Sequence, residues 1–107
     1  MRILQIIDSL EAGGAERMAV NYANALANEI EFSGLVVTRK EGPLLNQISS
    51  NVLYLFLNKK SVIDIQSVLK LRKFVIQNTV DIVQAHSTSF FLTFLLKLTY
   101  PRIKLIW

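Results

Sequence analysis

The chain has 107 residues, of which 51% are hydrophobic and 19% are charged, and it carries a net charge of +4 with no cysteine. This length fits one compact domain, and the apolar content excludes a disordered chain. The absence of cysteine excludes a disulfide scaffold, a thiol nucleophile and a Cys-based metal site. The basic residues form no run long enough for a nucleic-acid tract, so the charge indicates a moderately basic surface or contact with an anionic membrane.

Apolar runs of strand length alternate along the chain with segments of helical spacing. The apolar runs predict strands at 3–7, 31–38, 52–56, 81–86 and 103–107. The helical spacing predicts helices at 15–28, 64–78 and 90–98, with a turn at 39–42 and a short helix that begins at Pro43. On the first helix, the predicted inner face comprises Ala15, Met18, Ala19, Tyr22, Ala23 and Leu26.

This alternation predicts an α/β fold with a mainly parallel sheet and right-handed crossovers. We expect a strand order of about 3-2-1-4-5, with a switch point between the first and fourth strands. No helix follows the last predicted strand, so we expect an open sheet edge. The sequence therefore indicates part of a longer protein, or a domain that needs a partner.

The segment from Phe90 to Leu98 is apolar except for Thr93 and Lys97. It is too short to span a membrane. We expect a buried core helix here, and a membrane-docking face is the alternative. The adjacent Phe90 and Phe91 are not spaced for base stacking, so we expect no nucleic-acid partner.

Two loops carry the residues that are the strongest candidates for a functional site. The reason is that ligands of open α/β sheets bind beyond the carboxyl ends of the strands, at the switch point. In the first loop, Gly13 and Gly14 directly precede a helix, whose free N–H groups favour a phosphate. A tight turn is the alternative explanation for these glycines. The sequence contains neither G-x-G-x-x-G nor a P-loop motif, which disfavours a dinucleotide-binding domain.

The second loop begins at His86, the only histidine of the chain. At the end of a parallel strand its imidazole could serve as a general base or a hydrogen-bond donor. A hydrogen-bonded interior histidine is the alternative. Metal binding is not expected, because there is no second histidine and no cysteine.

Polar residues that flank these two loops are candidates for contact with a substrate. Arg17 could bind an anionic group or be solvated, and Glu16 suits the first turn of a helix. Ser87 and Thr88 could cap the next helix or bind sugar hydroxyls. The predicted acceptor-binding residues are Ser9, Arg17, Ser87 and Thr88.

Three features together resemble family 4 glycosyltransferases, which are retaining enzymes of the GT-B fold. They are the segment Gly13-Gly14-Ala15-Glu16-Arg17 after the first strand, the Gly-Pro-Leu-Leu at 42–45, and the strand that ends in His86. The resemblance extends from Met1 to Trp107. It implies that residues 1–107 form a partial, Rossmann-like, acceptor-side N-terminal domain, an incomplete N-terminal half of a GT-B fold.

The resemblance also implies roles for individual residues. Gly13 and Gly14 would approach the donor phosphates, and His86 would lie beside the transferred sugar as the catalytic residue. The substrates would be a nucleotide-sugar donor and a saccharide or lipid-linked acceptor, with no cofactor and no metal. Such enzymes often work at the cytoplasmic face of a membrane, which implies a cytoplasmic protein with peripheral membrane contact.

The sequence departs from this family in having no donor-binding domain. The phosphate-binding Arg and Lys and the paired glutamates of that domain have no counterpart here, so we expect the isolated chain to be inactive. Two alternatives remain: a non-catalytic interaction module that needs a partner chain or a membrane, with self-association through the open edge, and a free-standing nucleotide-binding α/β domain.

Overall fold

The computed structural model describes residues 1–60, 64–86 and 90–106. Its elements are β1 (Arg2–Ser9), α1 (Gly14–Ala27), β2 (Phe32–Lys40), a 3₁₀ helix (Pro43–Gln47), β3 (Leu53–Phe56), α2 (Ile65–Gln77), β4 (Ile82–Ala85), α3 (Phe90–Thr99) and β5 (Lys104–Ile106). Within the described residues, the five strands form one parallel sheet in the order β3-β2-β1-β4-β5. The α/β fold and the strand order predicted from the sequence are therefore confirmed.

The central strand β1 is buried on both faces of the sheet. Leu4 and Ile6 belong to an apolar cluster that includes residues of α2 and α3. Ile7 belongs to a second cluster, with residues of α1, on the opposite face. Burial on both faces explains why the strand reads as a nearly continuous apolar run rather than an alternating one.

Helix α1 follows Gly13 and ends at Asn28, where the sequence predicts its end. Its buried residues are Ala19, Val20 and Ala23. The predicted inner face is wrong at Met18 and Tyr22, which are both exposed. Compared with the prediction, the helix is rotated about its axis so that Val20 points inward. In this orientation the ring of Tyr22 lies near His86, which follows β4.

Helix α2 has the boundaries that the sequence predicts. The Asp64 carboxylate accepts a hydrogen bond from the Ser67 N–H at 3.2 Å, which caps the helix N-terminus. Asn78 ends the helix. This capping fixes where the helix begins.

Among the residues of α3 whose burial the structure describes, 92–99, only one face is buried, so the prediction of a buried core helix is wrong for the outer side. Leu92, Thr93 and Leu96 are buried, whereas Phe94 and Leu98 are exposed. A helix on the outside of a single sheet has one face for the sheet and one face away from it. None of the helices in the described ranges is long and apolar enough to cross a membrane.

Strand β2 is longer than predicted, because Arg39 and Lys40 continue the strand instead of forming a turn. A register shift between Ile7 and Ser9 lets Ser9 pair with Lys40. The Lys40 ammonium also lies 2.7 Å from a carboxylate oxygen of Glu11. These contacts extend the sheet toward the loop after β1.

Candidate functional site

The loops after β1 and β4 leave the same edge of the sheet. The two strands are parallel neighbours, with Ile6 opposite Ala85. The backbone N–H of His86 donates to the carbonyl oxygen of Ile6 at 2.9 Å. The two loops therefore start side by side at the point where the strand order reverses, the usual ligand position in such sheets.

The backbone conformation at Gly13 and Gly14 does not require glycine. None of the four glycines, all within the described residues, has a positive φ, and Gly13 is extended with φ −91° and ψ 173°. A Cβ atom added to Gly14, the first residue of α1, would meet no atom within 4 Å. Open space at the start of a helix suits the approach of a ligand. The Gly13 N–H also donates to the carbonyl oxygen of Glu11 at 2.8 Å, so a tight turn still explains the first glycine.

The Glu16 carboxylate lies over Gly13, on the first turn of α1. A Cβ atom added to Gly13 would lie 2.6 Å from Oε1 of Glu16. Oε2 of Glu16 accepts a hydrogen bond from the Ser9 hydroxyl at 3.0 Å. A carboxylate is favourable at a helix N-terminus, so it occupies the position that also attracts a phosphate.

The segment at 42–45 holds the first loop in place. The Leu44 N–H donates to the carbonyl oxygen of Leu10 at 3.1 Å, and the Leu10 N–H donates to the carbonyl oxygen of Lys40 at the same distance. A Cβ atom added to Gly42 would lie 2.6 Å from the carbonyl oxygen of Leu10. The motif noted in the sequence therefore packs its backbone directly against the backbone of the glycine loop.

His86 is buried on the face of the sheet that α1 covers. Its side chain is 8% exposed, and its Nε2 lies 2.6 Å from Oε1 of Gln5. Because a carbonyl oxygen can only accept, Nε2 carries the proton in this pair. The centroid of the Tyr22 ring lies 6.1 Å from that of the imidazole.

Gln5, the partner of His86, is completely buried at the centre of β1. Its amide nitrogen has no hydrogen-bond partner among the residues that the structure describes. A buried and unpaired amide is destabilising by about 1–3 kcal/mol. The carbonyl side of the same amide orients His86, and this contact gives the polar residue a function inside an apolar strand.

Burial lowers the pKa of His86 below its ordinary value of 6.5. Below pH 6.5 the unfolded chain therefore binds a proton that the native chain does not yet bind. The contribution of this histidine to stability is complete above pH 6.5 and is lost as the pH falls toward the lower native pKa.

We expect an NMR titration of His86, the sole imidazole, to show a midpoint below 6.5. The His86→Gln variant serves as the control, because its free energy of unfolding should fall less on acidification than that of the wild type. A midpoint at or above 6.5 would show that desolvation does not govern this side chain.

Of the four predicted acceptor-binding residues, the structure describes two. Ser9 ends β1 beside the glycine loop, and Arg17 is exposed on the first turn of α1, where its N–H donates to the Gly13 carbonyl oxygen at 3.0 Å. Ser87 and Thr88 lie outside the described residues. The structure thus brings the glycines, Ser9 and His86 to one edge of the sheet.

Sequence reasoning missed Gln5 and Tyr22 as neighbours of His86. A signal for Gln5 was present, since one amide interrupts the otherwise apolar run at 3–7, in which Leu4, Ile6 and Ile7 are buried. Nothing in the sequence indicated that Tyr22 lies near His86, because an aromatic residue at helical spacing is equally consistent with a position in the core.

A separate cavity of about 520 Å³ lies at the amino edge of β4 and β5. Its lining includes Met1, Asp81, Tyr100 and Arg102. It contains none of the predicted site residues and lies at the opposite edge of the sheet from the two loops.

The fold and this edge define the class of domain: a parallel α/β domain with a glycine-bearing helix N-terminus beside a strand-terminal histidine. Residues 12–107 match Glycosyltransferase Family 4. Because the match covers most of the chain, the chain belongs to glycosyltransferase family 4, which confirms the resemblance seen in the sequence. This membership supports a glycosyltransferase-type function. No curated protein matches the chain.

Proposed function

We propose that this chain is the acceptor-side portion of a retaining glycosyltransferase that transfers a sugar from a nucleotide-sugar donor to a saccharide or lipid-linked acceptor. The donor-binding domain is supplied outside residues 1–107, and the 107-residue chain alone is inactive. No cofactor or metal is assigned to this domain. Transfer to a lipid-linked acceptor would take place at the cytoplasmic face of a membrane.

One observation carries the proposal: in a chain of this family, the glycine loop and His86 start side by side at the carboxyl edge of β1 and β4. The open space at Gly14 supports close approach by the donor phosphates. The N–H groups of the first turn of α1 would stabilise their negative charge. His86 would contact the transferred sugar or the reacting hydroxyl.

In the proposed reaction, the bond between the anomeric carbon and the diphosphate oxygen breaks. The anomeric carbon forms a new bond to a hydroxyl oxygen of the acceptor, and the hydroxyl proton leaves with the nucleoside diphosphate. Negative charge develops on the diphosphate as positive charge develops on the sugar ring. Groups that are already oriented toward the developing charge lower the barrier, because they need no reorganisation.

Glu16 and Ser9 would respond to the donor. The Glu16 carboxylate lies over Gly13, where a phosphate would also approach, so donor binding would displace it by like-charge repulsion. Ser9 would then lose its carboxylate partner, and its hydroxyl would become available to an acceptor hydroxyl. Arg17, exposed on the same turn, would contact the acceptor from solvent.

Replacing Gly14 with valine tests the phosphate role. In the complete enzyme we expect Gly14→Val to weaken nucleotide-sugar binding by at least about tenfold, since the branched side chain fills the space that the phosphates need. Met18→Val is the matched control, because it places valine on the exposed part of the same helix. Titration calorimetry measures both variants, and unchanged donor affinity in Gly14→Val would contradict the role.

The alternative function is a non-catalytic module that docks on another chain. It is favoured by β5, an edge strand of three residues on which Ile106 is 48% exposed. The coding sequence that follows Trp107 distinguishes the two functions. A continuous frame with a second α/β domain that carries basic residues and paired glutamates supports the transferase, and an immediate stop codon supports the module.

A further inference from the structure

The carboxyl edge of the sheet continues beyond the candidate site to the ends of β2 and β3. Ser9 pairs with Lys40, so the end of β2 lies against the loop that follows β1. The Lys59 N–H donates to the carbonyl oxygen of Thr38 at 2.7 Å, so the loop that follows β3 lies against the same end of β2. The loops after β3, β1 and β4 therefore form one row along this edge, together with the end of β2.

The chain turns directly after β3. Asn58 has a φ of 54°, one of two positive φ values at residues other than glycine in the described ranges. Asparagine adopts this left-handed conformation more readily than most residues. Before the turn, the Leu57 N–H donates to the carbonyl oxygen of Val37 at 2.9 Å, and after it Lys59 donates to Thr38. Backbone hydrogen bonds on both sides of Asn58 therefore hold Lys59 at the edge.

Three cations at the ends of β2 and β3 have no ion-pair partner among the residues that the structure describes. They are Arg39 and Lys60, which are exposed, and Lys59, which is half-buried. The segments outside the description, 61–63 and 87–89, contain no acidic side chain. A half-buried cation without a partner has lost hydration that a bound anion would replace.

The carboxylates of the same region are held by other partners. Asp8 accepts a hydrogen bond from the buried Thr38 hydroxyl at 2.7 Å, and Glu41 accepts one from the Tyr54 hydroxyl at 2.6 Å. Asp64 accepts from two backbone N–H groups, each at 3.2 Å. None of these carboxylates forms an ion pair with the three cations, whose charge is therefore available to a ligand.

We propose that the acceptor carries a negatively charged group, a phosphate or a carboxylate, that binds to Lys59 with Arg39 and Lys60 beside it. Ligands of such sheets bind at this edge, and charge-assisted hydrogen bonds from Lys and Arg are among the strongest that an oxyanion accepts. Because the charge belongs to the acceptor, this inference rests on the proposed sugar transfer.

The sheet order also indicates where the charge lies on the acceptor. Lys59 and His86 follow strands that are three places apart in the sheet, about 14 Å at the usual spacing of neighbouring strands. An acceptor that contacts both residues therefore carries its charged group away from the hydroxyl that reacts.

Binding of three glucose derivatives to the 107-residue chain tests the inference without any transfer reaction. The probes are glucose 1-phosphate, glucuronic acid and methyl glucoside, which share one ring and differ in charge. In an NMR titration, at least one of the two anions should bind tenfold or more tightly than methyl glucoside. Added salt should weaken this binding, since the attraction is screened. Tighter binding of the phosphate indicates a phosphorylated acceptor, and tighter binding of the carboxylate indicates a uronic acid.

The variant Lys59→Met removes the charge and keeps an unbranched apolar side chain. It should weaken binding of the preferred anion at least fivefold, without lowering the free energy of unfolding. Lys104→Met is the matched control, because it removes an exposed lysine at the opposite edge of the sheet. It should change anion binding by less than twofold. Equal binding of the three probes, or equal loss in the two variants, would overturn the inference.

Kinetics of the complete transferase separate this inference from the proposed function. With an anionic acceptor, Lys59→Met should raise the KM for the acceptor at least fivefold and leave kcat nearly unchanged, since Lys59 binds a group remote from the reacting hydroxyl. Transfer that prefers neutral acceptors overturns the inference and leaves the proposed function intact. Absence of any transfer contradicts the proposed function, whereas anion binding that depends on Lys59 in the isolated chain still supports the anion site.

Discussion

Replacing His86 with alanine is expected to lower the turnover of the complete transferase by a factor of about 10²–10³, the loss typical of removing one group that stabilises a transition state. The same change removes the partner of the Gln5 carbonyl, which lies 2.6 Å away in a fully buried position. A buried acceptor left without its partner lowers the free energy of unfolding by about 1–3 kcal/mol. Steady-state kinetics and urea unfolding of the same preparation measure the two effects.

The variant Gln5→Leu is the matched control for His86→Ala. It removes the same hydrogen bond but keeps the imidazole, and it also removes the amide nitrogen of Gln5, which has no partner within residues 1–60, 64–86 and 90–106. We expect its turnover to fall at least tenfold less than that of His86→Ala, with a loss of unfolding free energy of no more than about 1 kcal/mol. If His86→Ala loses turnover only in proportion to its loss of folded protein, His86 is only a hydrogen-bonded interior histidine.

Replacing Gly42 with alanine should destabilise the domain by about 3 kcal/mol, at the upper end of the usual cost of overpacking. The added Cβ would lie 2.6 Å from the carbonyl oxygen of Leu10, 2.7 Å from its carbonyl carbon and 2.9 Å from the nitrogen of Glu11. These are backbone atoms, which cannot rotate away. The loop must therefore shift, and the 3.1 Å hydrogen bond from Leu44 to Leu10 is lost.

Gly14→Ala provides the comparison for Gly42→Ala, because its new methyl group meets no atom within 4 Å. Removing a glycine from a helix should leave the unfolding free energy unchanged or raise it by about 0.5–1 kcal/mol. Urea unfolding of both variants measures the difference. If Gly42→Ala were as stable as Gly14→Ala, the 3₁₀ segment would not hold the glycine loop.

The sheet was predictable from the sequence because each strand is marked locally. The run at 3–7 is apolar on both faces of the strand, and a segment of helical spacing follows it. This alternation was enough to predict a parallel sheet with right-handed crossovers. The end of α1 at Asn28 and the bounds of α2 at Asp64 and Asn78 were also predictable locally. By contrast, the end of β2 depends on pairing between Ser9 and Lys40, which lie far apart in the sequence.

The site was only partly predictable, because its contacts also join residues that lie far apart in the sequence. The contact between Gln5 and His86 joins residues separated by 81 positions, and no local pattern encodes it. The exposure of Phe94 and Leu98 was missed because a nearly uniform apolar run has no polar side to show which face is buried. Gly42 was visible as part of a motif, but its contact with the backbone of Leu10 requires the tertiary fold.

The most direct test of the central claim is an assay of sugar transfer. The complete product of the gene should release nucleoside diphosphate from a nucleotide sugar only when an acceptor is present, and the His86→Ala variant should lose most of this activity. The 107-residue chain alone should release none. Transfer by the isolated chain, or no transfer by the complete protein from any nucleotide sugar in a broad panel, would contradict an acceptor-side half of a glycosyltransferase.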